Sequence, residues 1–173
     1  GSSGLFKEIL TVPAITLTSG QKKRINFTPF DLTFLGGPLF PAQALWVDST
    51  AAPNADTPNA GTKELPFATV AYAITQAVAS DGDVVILQAG HAETTTAIAL
   101  NKAGVKIIGL GVGRNRPTLT ATTAATDLLN VSAANCSLEN VRLVGAASGV
   151  TALLDLSSAA DDFYGYGLSF EHG

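Results

Sequence analysis

Asn135–Gly145 reads NCSLENVRLVG, and further along Asp162–His172 reads DFYGYGLSFEH. Laid over one another, the two stretches set Cys136 on Phe163, Val141 on Leu168 and Leu143 on Phe170, apolar on apolar. The apolar positions alternate with polar ones, the period of a strand with one buried face. Further β-rich runs surround this pair: VVILQA (84–89), VKIIGLG (105–111), LLNVSA (128–133) and ALLDLS (152–157), broken by Gly, Asn, Asp, Ser and Ala. Val84, Val105 and Leu128 follow one another at similar steps, each within the ~20–50-residue spacing of stacked repeats. The chain therefore reads as an all-β solenoid in which the offset from Asn135 to Asp162 is one coil of a parallel β-helix. Such a stack is a rigid scaffold, so function has to be argued from its surface.

Composition narrows the class. Hydrophobic residues make up 46% of the 173 and charged ones 14%, with 17 Gly and no Met. That mixture buries a core and is not a disordered composition. The length suits one domain of roughly four or five coils plus an extension, which is short for a solenoid and predicts caps or partners. A single cysteine, Cys136, rules out an intramolecular disulfide, and its place opposite Phe163 makes it a small core residue. No apolar run approaches the ~20 residues of a membrane span, and no membrane or nucleic-acid partner is predicted. Gly1–Gly4 (GSSG) reads as a linker scar or a truncation and is left out of the fold.

Charge divides the chain. Residues 1–45 carry Lys7, Lys22, Lys23 and Arg24 against Glu8 and Asp31, a net of +2; residues 46–173 carry six cations against twelve carboxylates, a net of −6. Residues 5–44, punctuated by Pro13, Pro29, Pro38 and Pro41, read as an extended basic N-terminal arm. Its apolar stretches predict short strands at Ile15–Leu17 and Ile25–Phe27 with a turn at Ser19-Gly20. Exposed apolar arms call for another chain to cover them, so Phe6, Lys22, Lys23, Arg24, Phe27, Phe30 and Phe34 are the predicted partner contacts.

Residues 45–173 form the predicted β-helix domain. Within it, Leu45–Asp48 reads as a strand and Ser49–Gly61 as a polar loop. A helix follows over about 66–79, since Phe67, Val70, Ala71, Ile74, Ala77 and Val78 share one face at helical period and Pro66 suits a first turn. Placed before the first long strand, this helix is the expected N-terminal cap.

The run WVDS (46–49), a polar loop, PFATVAYAI (66–74) and GDVVILQAGHAET (82–94) resembles the opening of right-handed parallel β-helix proteins of the pectate-lyase-like superfamily. Similar openings occur in bacteriophage virion proteins, including tailspikes and head-associated proteins. The resemblance covers about Leu45 to His172 and implies a short right-handed parallel β-helix. It also implies a parallel homotrimer. The superfamily contains lyases, hydrolytic tailspikes, epimerases and non-catalytic adhesive or structural proteins, so the residues must choose.

A lyase of this kind would present acidic side chains on successive coils, and a hydrolase would pair two carboxylates. In the aligned coils Arg142 stacks over Ser169, Glu139 over Tyr166 and Asn135 over Asp162, which is no carboxylate ladder. Asp127, Glu139, Asp155, Asp161 and Asp162 are acidic without being paired by the sequence. His91 reads as a structural hydrogen-bonding residue beside a turn. Asp48, Asn54, Asp56 and Asn59 share a loop whose spacing matches no calcium motif. GLGVGRNRP (109–117) lacks the Lys-Ser/Thr ending of a phosphate loop and reads as a tight corner from which Arg114 and Arg116 project. Phe163 and Phe170 are predicted core, leaving Tyr164 and Tyr166 exposed with the two arginines as a second interface. No catalytic residue, metal or cofactor is assigned.

The expected function is a non-enzymatic structural protein of the phage virion, a capsid decoration or cement protein. It would anchor to the major capsid protein or another virion protein through its arm and project a short β-helix. The alternatives are the anchoring module of a tailspike or tail fibre, with a surface glycan as ligand, and a fragment of a polysaccharide lyase or hydrolase. No helix-like cap follows Phe170, which predicts that the last coil is covered by another subunit or by further chain.

Overall fold

The computed structural model describes residues 43–124 and 126–172, which belong to the second of the chain's two units, Pro38–Gly173. The arm residues Phe6, Lys22, Lys23, Arg24, Phe27, Phe30 and Phe34, and the Gly1–Gly4 segment, lie outside the described residues. Among the described residues twelve strands and one α-helix follow in order: β1 Ala44–Val47, α1 Val70–Gln76, β2 Val84–Leu87, β3 Ala92–Thr95, β4 Ile98–Leu100, β5 Lys106–Gly109, β6 Thr118–Ala121, β7 Asp127–Val131, β8 Ser137–Glu139, β9 Arg142–Gly145, β10 Ala152–Leu156, β11 Tyr164–Tyr166 and β12 Ser169–His172. They form three sheets with strand orders β1-β2-β5-β8-β11, β3-β6-β9-β12 and β4-β7-β10. Every pairing between these strands is parallel. From β2 onward the chain visits the first, second and third sheet in turn and then begins again, so each strand bonds to its counterpart in the next repeat.

The offset read from the two matching stretches is the register of the last two repeats: Glu139 pairs with Tyr166, Arg142 with Ser169 and Leu143 with Phe170. The other two spacings are corrected. Val84 pairs with Lys106, the neighbour of Val105, and the strand that contains Leu128 belongs to the third sheet, whereas β5 pairs with β8. The repeat that runs from Ile107 to its partner Leu138 is accordingly longer than the one from Leu143 to Phe170, because connections of different length are folded into it. Hydrophobic runs alone do not say which of three sheets a strand joins.

Alternation then fills the interior. Leu45, Val85, Ile107 and Leu138 stand in register on the first sheet, Leu119 and Leu143 on the second, and Ile98 and Leu129 on the third, all buried. Each such side chain contributes roughly 1.5–3 kcal/mol by leaving water. The corners are held by backbone bonds between repeats: Ser80 N–H donates to Ala103 O, Gly104 N–H to Ala134 O and Asn135 N–H to Asp161 O. Residues at positive φ, namely Ser80, Gly104, Asn135 and Asp162, line this corner, which is why Ser, Gly, Asn and Asp recur between the runs.

The helix is half the predicted length. Pro66 and Phe67 precede it; Phe67 bridges Val47 as extended backbone and sets its ring edge-on to Tyr72. Thr69 is the N-cap, its hydroxyl accepting from Tyr72 N–H. Val70, Ala73 and Ile74 are buried, Ala71 is half-buried, and Val78 is 50% exposed. Two carboxylates bound the helix. Asp56 Oδ1 accepts the N–H groups of Ala68 (2.9 Å) and Thr69 (3.1 Å), and Asp83 Oδ2 takes the N–H of Val78 at 2.7 Å. Backbone donors committed to those carboxylates cannot extend the helix, so the apolar stripe outruns the element it predicts.

Candidate functional site

Two places on this frame gather polar or exposed side chains: a buried clasp where β1, α1 and β3 meet, and a surface running from the loop after β5 to β11.

The clasp centres on His91, whose side chain is fully buried. Its Nδ1 accepts the N–H of Ser49 at 3.0 Å, which places the ring proton on Nε2. Nε2 lies 3.4 Å from Glu93 Oε2 without hydrogen-bond geometry, an electrostatic contact only. Glu93 Oε2 in turn accepts the N–H of Val70 at 2.8 Å. Glu93 pairs with Leu119 in the strand ladder and therefore points inward, a carboxylate in a column of leucines. The serine, histidine and glutamate look by type like a nucleophile, base and orienter. Their geometry denies it: Ser49 Oγ donates to Ala92 O at 2.8 Å and not to the imidazole, whose Nδ1 is taken by the Ser49 backbone N–H. The constellation ties three elements together, in keeping with the structural role read for His91.

The loop acids are likewise committed. Asp48 Oδ1 accepts from Thr50 N–H (2.9 Å) and Thr50 Oγ1 (2.7 Å), Asn54 Nδ2 donates to Asp48 O, and Asp56 caps the helix. Asn59 is exposed. Among the described residues no three His, Cys, Asp or Glu side chains group to hold a metal. Asp127 and Asp155 lie on the third sheet, where Asn130 Nδ2 donates to Asp155 Oδ2; Glu139 lies on the first and accepts from Ser137 Oγ; Asp161 and Asp162 occupy the exposed corner before β11. The structure does not bring these acids together as a pair on one face. Cys136 is buried with Sγ 3.4 Å from Lys102 O, and burial pushes its thiol above the ordinary range against the opposing pull of Val105 and Gly104 backbone bonds.

The surface site begins at Gly109–Pro117. Asn140 Nδ2 donates to both Gly109 O and Gly111 O at 2.8 Å, and Gly90 N–H donates to Asn115 O. A side chain on Gly109 would strike the Asn140 carbonyl, so the close approach demands glycine. The loop closes through a 3-10 turn at Gly113–Asn115 and presents Val112, 81% exposed, and Arg114. Arg116 is half-buried, with Nε shielded from solvent. Arg114 is exposed.

Across the first sheet, Tyr164 and Tyr166 are 56% and 66% exposed, flanking Gly165, which registers on buried Leu138. Phe163 packs against the core as expected. Phe170 does not stay buried: it registers on Leu143 but is 55% exposed, because among the described residues no strand lies beyond β12 on its sheet. Sequence reasoning does not find Asp83, Glu93, Lys102 or Asn140 as tying residues. Asn140, at positive φ between two strands, carries the one local signal among them, an Asn where a turn is needed.

Comparison of the chain with family models, curated proteins and solved structures returns no match.

Proposed function

We propose that the described residues form a short right-handed parallel β-helix and that the chain is a structural protein of the phage virion, a capsid decoration or cement protein. One observation carries the fold: parallel strands visiting three sheets in fixed rotation, with a helix packed on β1, β2 and β4. Parallel crossovers of this kind are right-handed in ~98% of cases. The role rests on the resemblance of residues 46–94 to virion β-helix proteins and on the opposite charge of the arm and the body. The dispersal of the acidic side chains over different sheets and corners weighs towards a structural part and away from glycan cleavage.

The test is binding to the shell. The 173-residue chain should co-sediment with virion shells of the encoding phage, whereas a chain lacking residues 5–42 should stay in the supernatant with its strand signal intact by circular dichroism. The deletion stops before Gln43 because its N–H bonds Asp83 Oδ1 at 2.8 Å. Equal binding by both forms, or release of reducing sugar from a surface polysaccharide, would sink the proposal.

A further inference from the structure

Asp81-Gly82 is the one place in the 173 residues where an aspartate or asparagine is followed by glycine. It lies in the turn between α1 and β2, and both residues are exposed. Gly82 stands at φ +84°, and a Cβ built on it would meet nothing within 4 Å, so no neighbour crowds the turn there. Among the described residues no hydrogen bond or ion pair engages the Asp81 carboxyl or the Gly82 N–H. The other described aspartates differ. Asp48, Asp56, Asp83 and Asp155 each accept hydrogen bonds. Asp127, Asp161 and Asp162 are followed by Leu128, Asp162 and Phe163, whose side chains stand beside the next backbone nitrogen.

We propose that Asp81 is a site of spontaneous covalent modification, isomerising to a β-linked aspartate in the folded protein. The Gly82 nitrogen attacks Cγ of the Asp81 carboxyl in its acid form. The N–Cγ bond forms, the Cγ–OH bond breaks, and the hydroxyl leaves with the amide proton as water, giving a cyclic imide. A water molecule then reopens the ring. Attack at Cγ restores the original chain. Attack at the Asp81 backbone carbonyl breaks its bond to the Gly82 nitrogen and leaves the chain running through the side chain, with the former backbone carbonyl as a free carboxylate. One water is lost and one regained, so mass is unchanged and no oxidant or reductant is needed. Glycine favours closure because no Cβ hinders its nitrogen and its torsions are free.

The β-link adds one carbon to the backbone path between two fixed points. Ser80 N–H donates to Ala103 O at 2.7 Å. Asp83, fully buried, accepts the N–H of Gln43 at Oδ1 (2.8 Å) and the N–H of Val78 at Oδ2 (2.7 Å), and its carbonyl takes the Lys106 N–H at 3.1 Å. Asp83 therefore joins the residue before β1 to the end of α1. A longer turn shifts it against these partners, so isomerisation loosens this junction first and leaves the later repeats as they are. The free carboxylate of the product is the group that protein-isoaspartate methyltransferases esterify.

The experiment ages the 173-residue chain in warm neutral buffer for several weeks and reads β-linked aspartate in two ways. Methyl transfer by a protein-isoaspartate methyltransferase measures its amount, and fragmentation mass spectrometry locates it. The label should rise with time, map to Asp81, and be lost in Asp81→Glu, whose larger ring closes far more slowly. The Asp81 side chain holds nothing, so that variant should keep the circular dichroism of the parent. Amide exchange at Gln43 and Val78 should be at least about tenfold faster in the labelled fraction than in fresh protein, with exchange in β8 and β9 unchanged. Absence of label at Asp81, label spread over the other aspartates, or formation far slower in the folded chain than in the same chain in urea overturns the inference. Label at Asp81 with unaltered exchange at Gln43 and Val78 overturns the coupling to Asp83. None of these outcomes depends on shell binding, so the proposed role is judged separately.

Discussion

At the scale of single residues, legibility depends on whether a position repeats. Leu143 and Phe170 fall in one column because the match between Asn135–Gly145 and Asp162–His172 puts them there, and the register agrees. Glu93 is invisible by the same logic. A lone carboxylate in an alternating run reads as solvent-facing, and only the pairing of β3 with β6 sets it in line with Leu119. His91 reads as structural from its turn, but its partners do not show, since Ser49 is 42 residues away. Cys136 is legible as core and yields a pH prediction. Burial raises its thiol in the folded chain, so the proton is held more tightly there than in the unfolded chain. The stabilisation is complete below the ordinary thiol range and is lost as pH rises through it towards the folded value. Urea midpoints should therefore fall as pH rises from about 7.5 to about 9.5, across the ordinary thiol range, and less so in Cys136→Ala. An equal fall in both would remove the thiol from the explanation.

At the scale of elements, the helix shows most clearly where pattern reading stops. Seven residues are too few to hold a helix in water, so α1 exists through side chains supplied by other elements. Asp56 and Glu93 take donors at its start, and Lys102 Nζ donates to the carbonyls of Thr75 and Ala77 at its end. Carboxylates at the N-terminus and an ammonium at the C-terminus also complement the helix dipole. None of those three residues is in the helix, which is why its period can be seen in the sequence but its length cannot. Lys102→Met should cost about 1 kcal/mol and speed amide exchange in Val70–Gln76 before the strands respond. Uniform acceleration across the domain would mean that the helix does not open alone.

At the scale of the whole molecule, stability is a sum over neighbouring repeats, each resting on the next. The all-β class and the final register are legible because Val, Ile and Leu recur in short alternating runs. The membership of three sheets is not, because loops of unequal length make the repeat from Ile107 to Leu138 longer than the one from Glu139 to Tyr166. A charge placed mid-stack should be felt throughout. Leu143→Asp buries an unpaired carboxylate between Leu119 and Phe170 and should cost at least about 3 kcal/mol, a large part of a domain's total. Loss of the strand signal at room temperature is the expected result; native ellipticity and an unchanged melting point would mean that the inward column is wrongly assigned.

The parallel ladders described above also fix how the molecule resists force. Every inter-strand hydrogen bond links one repeat to the next, so these bonds all point along the direction in which repeats accumulate. Tension in that direction loads one rung of the described ladders at a time and unzips them at low force. Tension along the strands loads the bonds of a rung together, in shear. The described strands are therefore tough sideways and weak lengthwise, and the orientation in which they are held decides which of the two strengths they show.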